Sequence, residues 1–219
     1  MTITHHPSDA ALVAYGSGSL DEALALVVAT HLALCPDCRR KAGAVEAVGG
    51  ALLDDLPPAA MKEDALDKLL QKLGTVEAKP ATPSRPAVDH GWSLPAPMRQ
   101  YLGPSLSGTA WRFLAPGISR AAVLPRRRGG ASAYLLRIKP GKSVAHHGHR
   151  GMELTMILGG GYSDELGHFI AGDFVELDGN FYHRPVADPG EDCICLVAAS
   201  GKTRFTGLLG KLLQPFIRL

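Results

Sequence analysis

The sequence predicts an α+β protein of two domains, a helical N-terminal domain followed by an antiparallel β domain. Three observations support this fold class. Apolar positions recur at helical spacing through residues 1–75, a proline-rich stretch follows, and the remainder consists of short apolar runs divided by Gly, Pro and Asp. We therefore predict a helical domain over residues 1–75, a linker over residues 76–97 and a β domain over residues 98–219.

The composition limits the partners that this chain can have. The 219 residues are 46% hydrophobic and 20% charged, with a net charge of +2, so direct nucleic-acid binding is not expected and the run Arg126–Arg128 is interpreted as a solvated loop. No apolar run approaches the ~20 residues that span a bilayer, and the N-terminus lacks an export signal. We expect a cytoplasmic protein without a membrane segment.

Capping residues and breakers divide the N-terminal domain into four predicted helices. Ser8 or Asp9 caps the first, acidic residues occupy the first turn of the second, and Pro36 suits the first position of the third. The predicted helices are Asp9–Tyr15, a segment from Leu20 to Leu34, Asp37–Leu53 and Met61–Leu73. The linker after Gly74 contains five prolines, and Trp92 and Leu94 within it are expected to dock on a neighbouring domain, with an exposed Trp92 as the alternative.

A set of histidines and cysteines lies where the second and third helices meet. His31, Cys35 and Cys38 are four and three residues apart, so their side chains can converge. His6 is the expected fourth ligand, with His5 as its competitor. Two thiolates and two imidazoles favour a closed, structural Zn²⁺ site. The alternative is a thioredoxin-like redox pair, but such a pair normally follows a strand.

A second group of potential ligands lies in the β domain. His147 and His149 are two residues apart and therefore share one face of a strand, and Glu153 follows a predicted turn. These groups suit Zn²⁺, Fe²⁺ or Mn²⁺, and His183, which begins a returning strand after the turn Asp178–Asn180, is the candidate fourth ligand. Any single histidine is more often an ordinary core or surface residue, but this spacing favours a metal site.

Short apolar runs after the linker predict an antiparallel sandwich or barrel. The predicted strands are Trp111–Leu114, Ala121–Leu124, Ala133–Ile138, Leu154–Leu158, Phe169–Ile170, Phe174–Leu177 and Cys193–Ala199. Cys193 and Cys195 share one face of the last strand, either as buried small hydrophobes or as a redox-active pair. A short amphipathic helix is predicted over residues 206–219.

The β domain resembles the cupins. Their first motif, G(x)5HxH(x)3E(x)6G, is met by Gly141, His147, His149, Glu153 and Gly160. Their second motif, G(x)5PxG(x)2H(x)3N, is met by Gly172 and His183 and departs at Asp178, Asn180 and Ala187. The resemblance implies an antiparallel β cupin barrel whose inward-facing ligands, His147, His149, Glu153 and His183, bind Zn²⁺ or another divalent transition metal.

The helical domain resembles the zinc-containing anti-sigma domains, whose pattern H-(x)24-H-(x)3-C-(x)2-C is met by His6, His31, Cys35 and Cys38. The whole chain is similar to ChrR-type zinc anti-sigma factors, including its first twenty residues and its last fifteen. This resemblance implies a non-enzymatic regulator that binds an extracytoplasmic-function sigma factor and blocks its access to RNA polymerase. It also implies that the cupin domain is needed for release in response to singlet oxygen or oxidative stress.

Six apolar residues are candidates for the surface that contacts the sigma factor: Leu12, Val13, Leu24, Leu26, Val27 and Val48. Two other functions remain open. A cupin metalloenzyme of the dioxygenase or isomerase type would use the same ligands, with Tyr134, Tyr162, Glu176 and Tyr182 as supporting groups. A redox sensor would instead depend on Cys193 and Cys195.

Overall fold

The structure, a computed structural model, describes residues 2–74, 94–127 and 129–206. Most of the predicted linker, Arg128 of the arginine run, and all but the first residue of the predicted C-terminal helix lie outside the described residues. Among the described residues, none of the helices combines the length and the apolar character that a membrane span requires.

The helical part follows the predicted order, with one helix that the sequence pattern did not indicate. Ser8 caps the first helix, its Oγ accepting a hydrogen bond from the Ala11 N–H at 3.1 Å, and Asp21 caps the second in the same way. Pro36 occupies the first turn of the third helix, as expected. The helices are α1 (Asp9–Gly16), α2 (Glu22–Leu34), α3 (Pro36–Asp54), α4 (Ala65–Gly74) and α5 (Ala96–Leu102).

The second half is a β structure with antiparallel pairing throughout the described strands. Its strands are β1 (Arg112–Ala115), β2 (Ile118–Leu124), β3 (Ser132–Ile138), β4 (His147–His149), β5 (Glu153–Gly159), β6 (Gly161–Asp164), β7 (Gly167–Ile170), β8 (Phe174–Leu177), β9 (Tyr182–His183), β10 (Val186–Ala187), β11 (Cys193–Ala199) and β12 (Thr203–Phe205). They form a six-stranded sheet in the order β1-β2-β3-β11-β5-β8 and two three-stranded sheets, β10-β6-β7 and β12-β4-β9. The predicted fold class is confirmed, although the hydrogen bonding of the described strands is divided among three sheets and does not form one closed ring.

Both faces of the six-stranded sheet are covered. One face packs with the smaller sheets around an interior core that includes Ile157, Tyr162 and Cys195. The other face packs against α2 and α5, so that Leu135 and Leu196 share a core with the helices. Every residue of β5 is buried, which explains why Leu154, Met156, Ile157 and Leu158 place apolar side chains on both faces of this strand.

This second core corrects the predicted sigma-contact surface. Leu12, Leu24, Leu26 and Val27 are buried, because α2 lies between the sheet on one side and helices α1 and α3 on the other. Only Val13 and Val48 of the six candidates are exposed. Leu94 is buried in the same core, so the prediction that it docks on a neighbouring part of the chain is confirmed.

Candidate metal sites and comparison with known proteins

The first candidate site, here called the His/Cys cluster, consists of His6, His31, Cys35 and Cys38. One potential ligand atom from each residue lies within 4.8 Å of all the others. The Nδ1 atom of His6 is 3.5 Å from the Cys35 Sγ and 3.4 Å from the Cys38 Sγ. His5 is directed elsewhere, since its Nδ1 lies 3.2 Å from a carboxylate oxygen of Asp173. The structure therefore brings His6, and not His5, to the predicted group.

Local structure explains how the His/Cys cluster forms. His31 lies in the last turn of α2, Cys35 is the N-cap of α3, and the Cys38 N–H donates to the Cys35 Sγ at 3.5 Å. The Nδ1–H of His31 donates to the carbonyl oxygen of Gly172 at 3.2 Å. Its Nε2 is buried and has no hydrogen-bond partner among the residues that the structure describes. A buried polar atom without a partner is unfavourable, and a bound cation would satisfy it.

The ionisation of the His/Cys cluster suits metal binding. Burial, followed by the neighbouring His6, lowers the pKa of His31 to about 4, so this imidazole is neutral and can coordinate. Burial, followed by the contact with Cys35, raises the pKa of Cys38 to about 12. Without a cation this thiol keeps its proton, whereas a bound cation would stabilise the thiolate and release that proton.

The second candidate site, here called the His cluster, contains His147, His149 and His183, with potential ligand atoms within 4.8 Å of one another. His147 and His183 are directly opposite in the β4–β9 pair. The two Nε2 atoms of His149 and His183 are 3.5 Å apart. His147 and His149 therefore share one face, as predicted, whereas His146 points away and makes a hydrogen bond of 2.8 Å to the Thr206 hydroxyl.

Two histidines of the His cluster are oriented by hydrogen bonds at Nδ1. His147 donates to the Ala145 carbonyl and His183 to the Asp164 carboxylate, both at 2.8 Å. A carboxylate or carbonyl partner at Nδ1 fixes the tautomer that leaves Nε2 available to a metal. Asp164, at the end of β6, was not identified from the sequence, since no motif marks a residue that acts through another side chain.

Glu153 lies beside the His cluster. Its carboxylate is 3.3 Å from Nδ1 of His149, on the other side of the ring from the Nε2 that approaches His183. Burial raises the pKa of Glu153 to about 7, while His183 and a hydrogen bond with Thr155 act in the opposite direction. Coordination by Glu153 stays a prediction, because its oxygens fall outside the group of mutually close ligand atoms.

Burial also keeps the histidines of this site neutral. It lowers the pKa of His147 to about 3 and that of His149 to about 4, and the nearby His183 adds to both shifts. A cavity of ≈ 40 Å³ borders the site and is lined mainly by apolar side chains, together with Tyr134 and Tyr162. Such a volume accommodates only about one or two water molecules.

Two of the four groups suggested for an enzyme lie away from this cavity. Tyr182 is exposed and stacks on His146, and an oxygen of Glu176 accepts a hydrogen bond from the Ser8 N–H at 3.2 Å.

Cys193 and Cys195 are buried with their sulfur atoms 3.6 Å apart, on the shared face that the sequence predicted. Their burial supports the interpretation as small core residues.

These features define the class of protein. It has a helical part with a His/Cys cluster and a cupin-like part with a His cluster, joined through a common core. The family described as "ChrR Cupin-like domain" matches residues 105–202. The anti-sigma-E factor ChrR of Cereibacter sphaeroides is 47% identical over 219 residues, which cover 100% of both chains. The chain therefore belongs to the ChrR anti-sigma family.

A solved structure agrees with this assignment. A chain in the crystal structure of Rhodobacter sphaeroides SigE in complex with the anti-sigma ChrR matches 90% of this chain and 100% of its own length. The TM-score is 0.78 at 44% sequence identity. The similarity therefore extends over both the helical and the cupin-like parts.

Proposed function

We propose that this chain is an anti-sigma factor that binds an extracytoplasmic-function sigma factor and covers the surfaces with which that protein engages RNA polymerase. Inhibition by coverage breaks no covalent bond, so the proposal requires no catalytic residue. The role also requires the chain to act in the cytoplasm, where RNA polymerase transcribes.

The observation that carries this proposal is an exposed apolar strip in the helical part. The last nine residues of α3 are all exposed, and so are the residues of α4 from Leu66 to Leu73. The strip consists of Val48, Leu52, Leu53, Leu56, Met61, Leu66, Leu69, Leu70 and Leu73. Many large apolar side chains left exposed on neighbouring stretches of sequence are typical of a protein-binding face, and amphipathic helices commonly bind grooves between partner helices.

The His/Cys cluster lies at the start of the segment that carries the strip, α3 to α4, here called the sigma-binding arm. We propose that His6, His31, Cys35 and Cys38 hold one structural Zn²⁺, since two thiolates and two imidazoles complete a tetrahedral shell. A cation bound there would fix the extended N-terminal segment to the junction of α2 and α3. Removing it would leave the direction of α3, and with it the apolar strip, less well defined.

We further propose that the cupin-like part binds Zn²⁺ or another divalent transition metal through His147, His149, Glu153 and His183. Its role is to release the sigma factor in response to singlet oxygen or oxidative stress. The ≈ 40 Å³ cavity beside this site supports a regulatory role over an enzymatic one, because small-molecule substrates occupy pockets of about 300 Å³ or more.

Transcription by the reconstituted sigma factor and RNA polymerase tests this proposal. The full chain should suppress transcription, and the double change Cys35→Ala/Cys38→Ala should abolish suppression while the cupin-like part retains its metal. The double change His147→Ala/Glu153→Ala should preserve suppression and prevent release when a photosensitiser generates singlet oxygen. Suppression that survives the cysteine changes would refute the role of the His/Cys cluster in inhibition.

A further inference from the structure

The turn between β7 and β8 contacts the N-terminal segment that carries His6. Asp173 in this turn is completely buried, although it is a charged residue. Its Oδ1 accepts hydrogen bonds from the backbone N–H groups of Thr4 at 2.8 Å and His5 at 3.0 Å. Its Oδ2 accepts from the Ile170 N–H at 3.0 Å. One carboxylate of the cupin-like part therefore holds the two residues immediately before a proposed metal ligand.

The same turn also holds a second proposed ligand. The Gly172 carbonyl accepts from the Nδ1–H of His31 at 3.2 Å, which directs Nε2 towards the His/Cys cluster. The adjacent Phe174 packs edge-to-face on the His31 ring at 5.5 Å, and its N–H donates to the His5 carbonyl at 3.1 Å. His6 and His31, half of the ligands of the His/Cys cluster, are thus positioned by one turn of the other part of the chain.

The ionisation of Asp173 is consistent with a positioning role. Burial alone would raise its pKa, but the N–H groups of Ile170, Thr4 and His5 outweigh burial and keep the pKa below its ordinary value. An ionised carboxylate can accept all of these hydrogen bonds at once. An asparagine cannot, because one oxygen is replaced by an NH₂ group that would face a backbone donor.

The turn is joined in the other direction to the strand that begins with Glu153. Ile157 of β5 donates its N–H to the Asp173 carbonyl at 3.0 Å and accepts the Gly172 N–H at 2.8 Å. A displacement of β5 at the His cluster would therefore act directly on the turn. The contact provides a short physical connection between the two candidate metal sites.

We propose that Asp173 is a positioning residue for the His/Cys cluster and that the β7–β8 turn makes metal affinity in the helical part depend on the cupin-like part. This inference rests on the metal proposed above for the His/Cys cluster. It assigns a role to a residue that coordinates no metal itself, and it identifies the turn as the element through which a change at the His cluster reaches the sigma-binding arm.

Titration of the metal-free full chain with Co²⁺ tests this inference. The thiolate-to-cobalt charge-transfer absorption reports on Cys35 and Cys38, whereas a site made of histidines and a carboxylate gives only ligand-field bands. We expect Asp173→Asn to weaken Co²⁺ binding at the thiolate site by about 10- to 100-fold and Asp173→Ala by more, because the asparagine retains one acceptor. Binding at the His cluster should be unchanged in both variants.

Two further variants separate positioning from general loss of structure. Asp188→Asn is the control, because Asp188 also pairs with a histidine, His168, at 2.7 Å, whereas the carboxylate that accepts from the Thr4 and His5 N–H groups is that of Asp173. It should leave the thiolate band unchanged. Thr4→Pro removes two donors to Asp173, the backbone N–H at 2.8 Å and the hydroxyl at 3.3 Å, without altering the carboxylate. Thr4 is exposed, and its replacement should also weaken the thiolate site.

Each outcome decides the question. Selective weakening of the thiolate site in the Asp173 and Thr4 variants would support the inference. Wild-type affinity in Asp173→Asn, or equal weakening at both sites, would overturn it. Absence of a thiolate band in the unmodified chain would refute the proposed metal at the His/Cys cluster itself, and the inference with it, so the two failures are distinguishable.

Discussion

Replacing leucines of α4 should weaken sigma binding without unfolding the protein. Leu66, Leu69 and Leu73 follow helical spacing on one face and are 63%, 54% and 61% exposed. Complete burial of a leucine side chain contributes about 1.5–3 kcal/mol, so covering the exposed portion of each contributes about 1–2 kcal/mol. Alanine retains part of that contribution. The triple change to alanine should therefore cost about 2–4 kcal/mol, which is about a 30- to 1000-fold increase in Kd.

The stability of the free chain should change little, because these side chains are already in water and alanine favours helix formation. Isothermal titration calorimetry with the purified sigma factor measures Kd, and urea unfolding followed by circular dichroism measures stability. Gln71→Ala, an exposed change on α4 that removes a polar side chain, is the matched control and should leave Kd unchanged. A triple variant that binds as tightly as the unmodified chain would refute the assignment of α4 to the sigma-binding face.

Three further predictions concern stability. Met98→Ala removes a fully buried side chain from the core shared by the helices and the sheet, and should lower the free energy of unfolding, measured in urea titrations, by about 2–5 kcal/mol. Met61→Ala, at a residue that is 81% exposed, should change it by less than about 0.5 kcal/mol. Gly160→Ala should lower the melting temperature of the protein more than Gly18→Ala does. Both glycines have a positive φ, 63° and 69°, but of the two only Gly160 would place its new Cβ against a backbone oxygen, at 2.6 Å. Equal melting temperatures for the two variants would contradict this reasoning. After metal removal, stability should fall as pH decreases from 6.5 towards 4, because His147 has a folded pKa of about 3 and His149 and His31 have folded pKa values of about 4, so that all three bind protons more readily when unfolded. Protonation of Glu153, whose folded pKa of about 7 exceeds its unfolded value, offsets part of this loss. The expected result is a net loss of roughly 2–4 kcal/mol in the free energy of unfolding between pH 7 and pH 5, measured by urea unfolding. A gain in stability would contradict these pKa shifts.

The elements and sites that the sequence predicted well depend on local spacing. The pair His147 and His149 needs only the alternation of a strand, and Cys35 and Cys38 need only a cap and one helical turn. Pro36 and Ser8 mark helix starts through their own conformational and hydrogen-bonding preferences. In each of these cases the information lies within a few residues of the chain.

What the sequence did not reveal depends on contacts between distant segments. Asp173 meets His5 across 168 residues, and Asp164 meets His183 across 19. Neither carboxylate belongs to a motif, because each acts on a backbone or on another side chain. The mistaken assignment of Leu24 and Val27 to a partner surface has the same origin, since an apolar helix face has one pattern whether it meets a sheet of its own chain or another protein.

The enclosure of α2 has a consequence for how inhibition can be reversed. Val27 and Val28 have no exposed surface, and the helix is covered by β3, β5 and β11 as well as by its helical neighbours. Separating the helical part from the sheet would expose such side chains to water, at a cost of about 1.5–3 kcal/mol for each fully buried side chain. Oxidation of a single ligand is not expected to supply a free energy of this size. Dissociation of the regulator from its target should therefore proceed through adjustments at the periphery, with the central helix remaining seated on the sheet throughout.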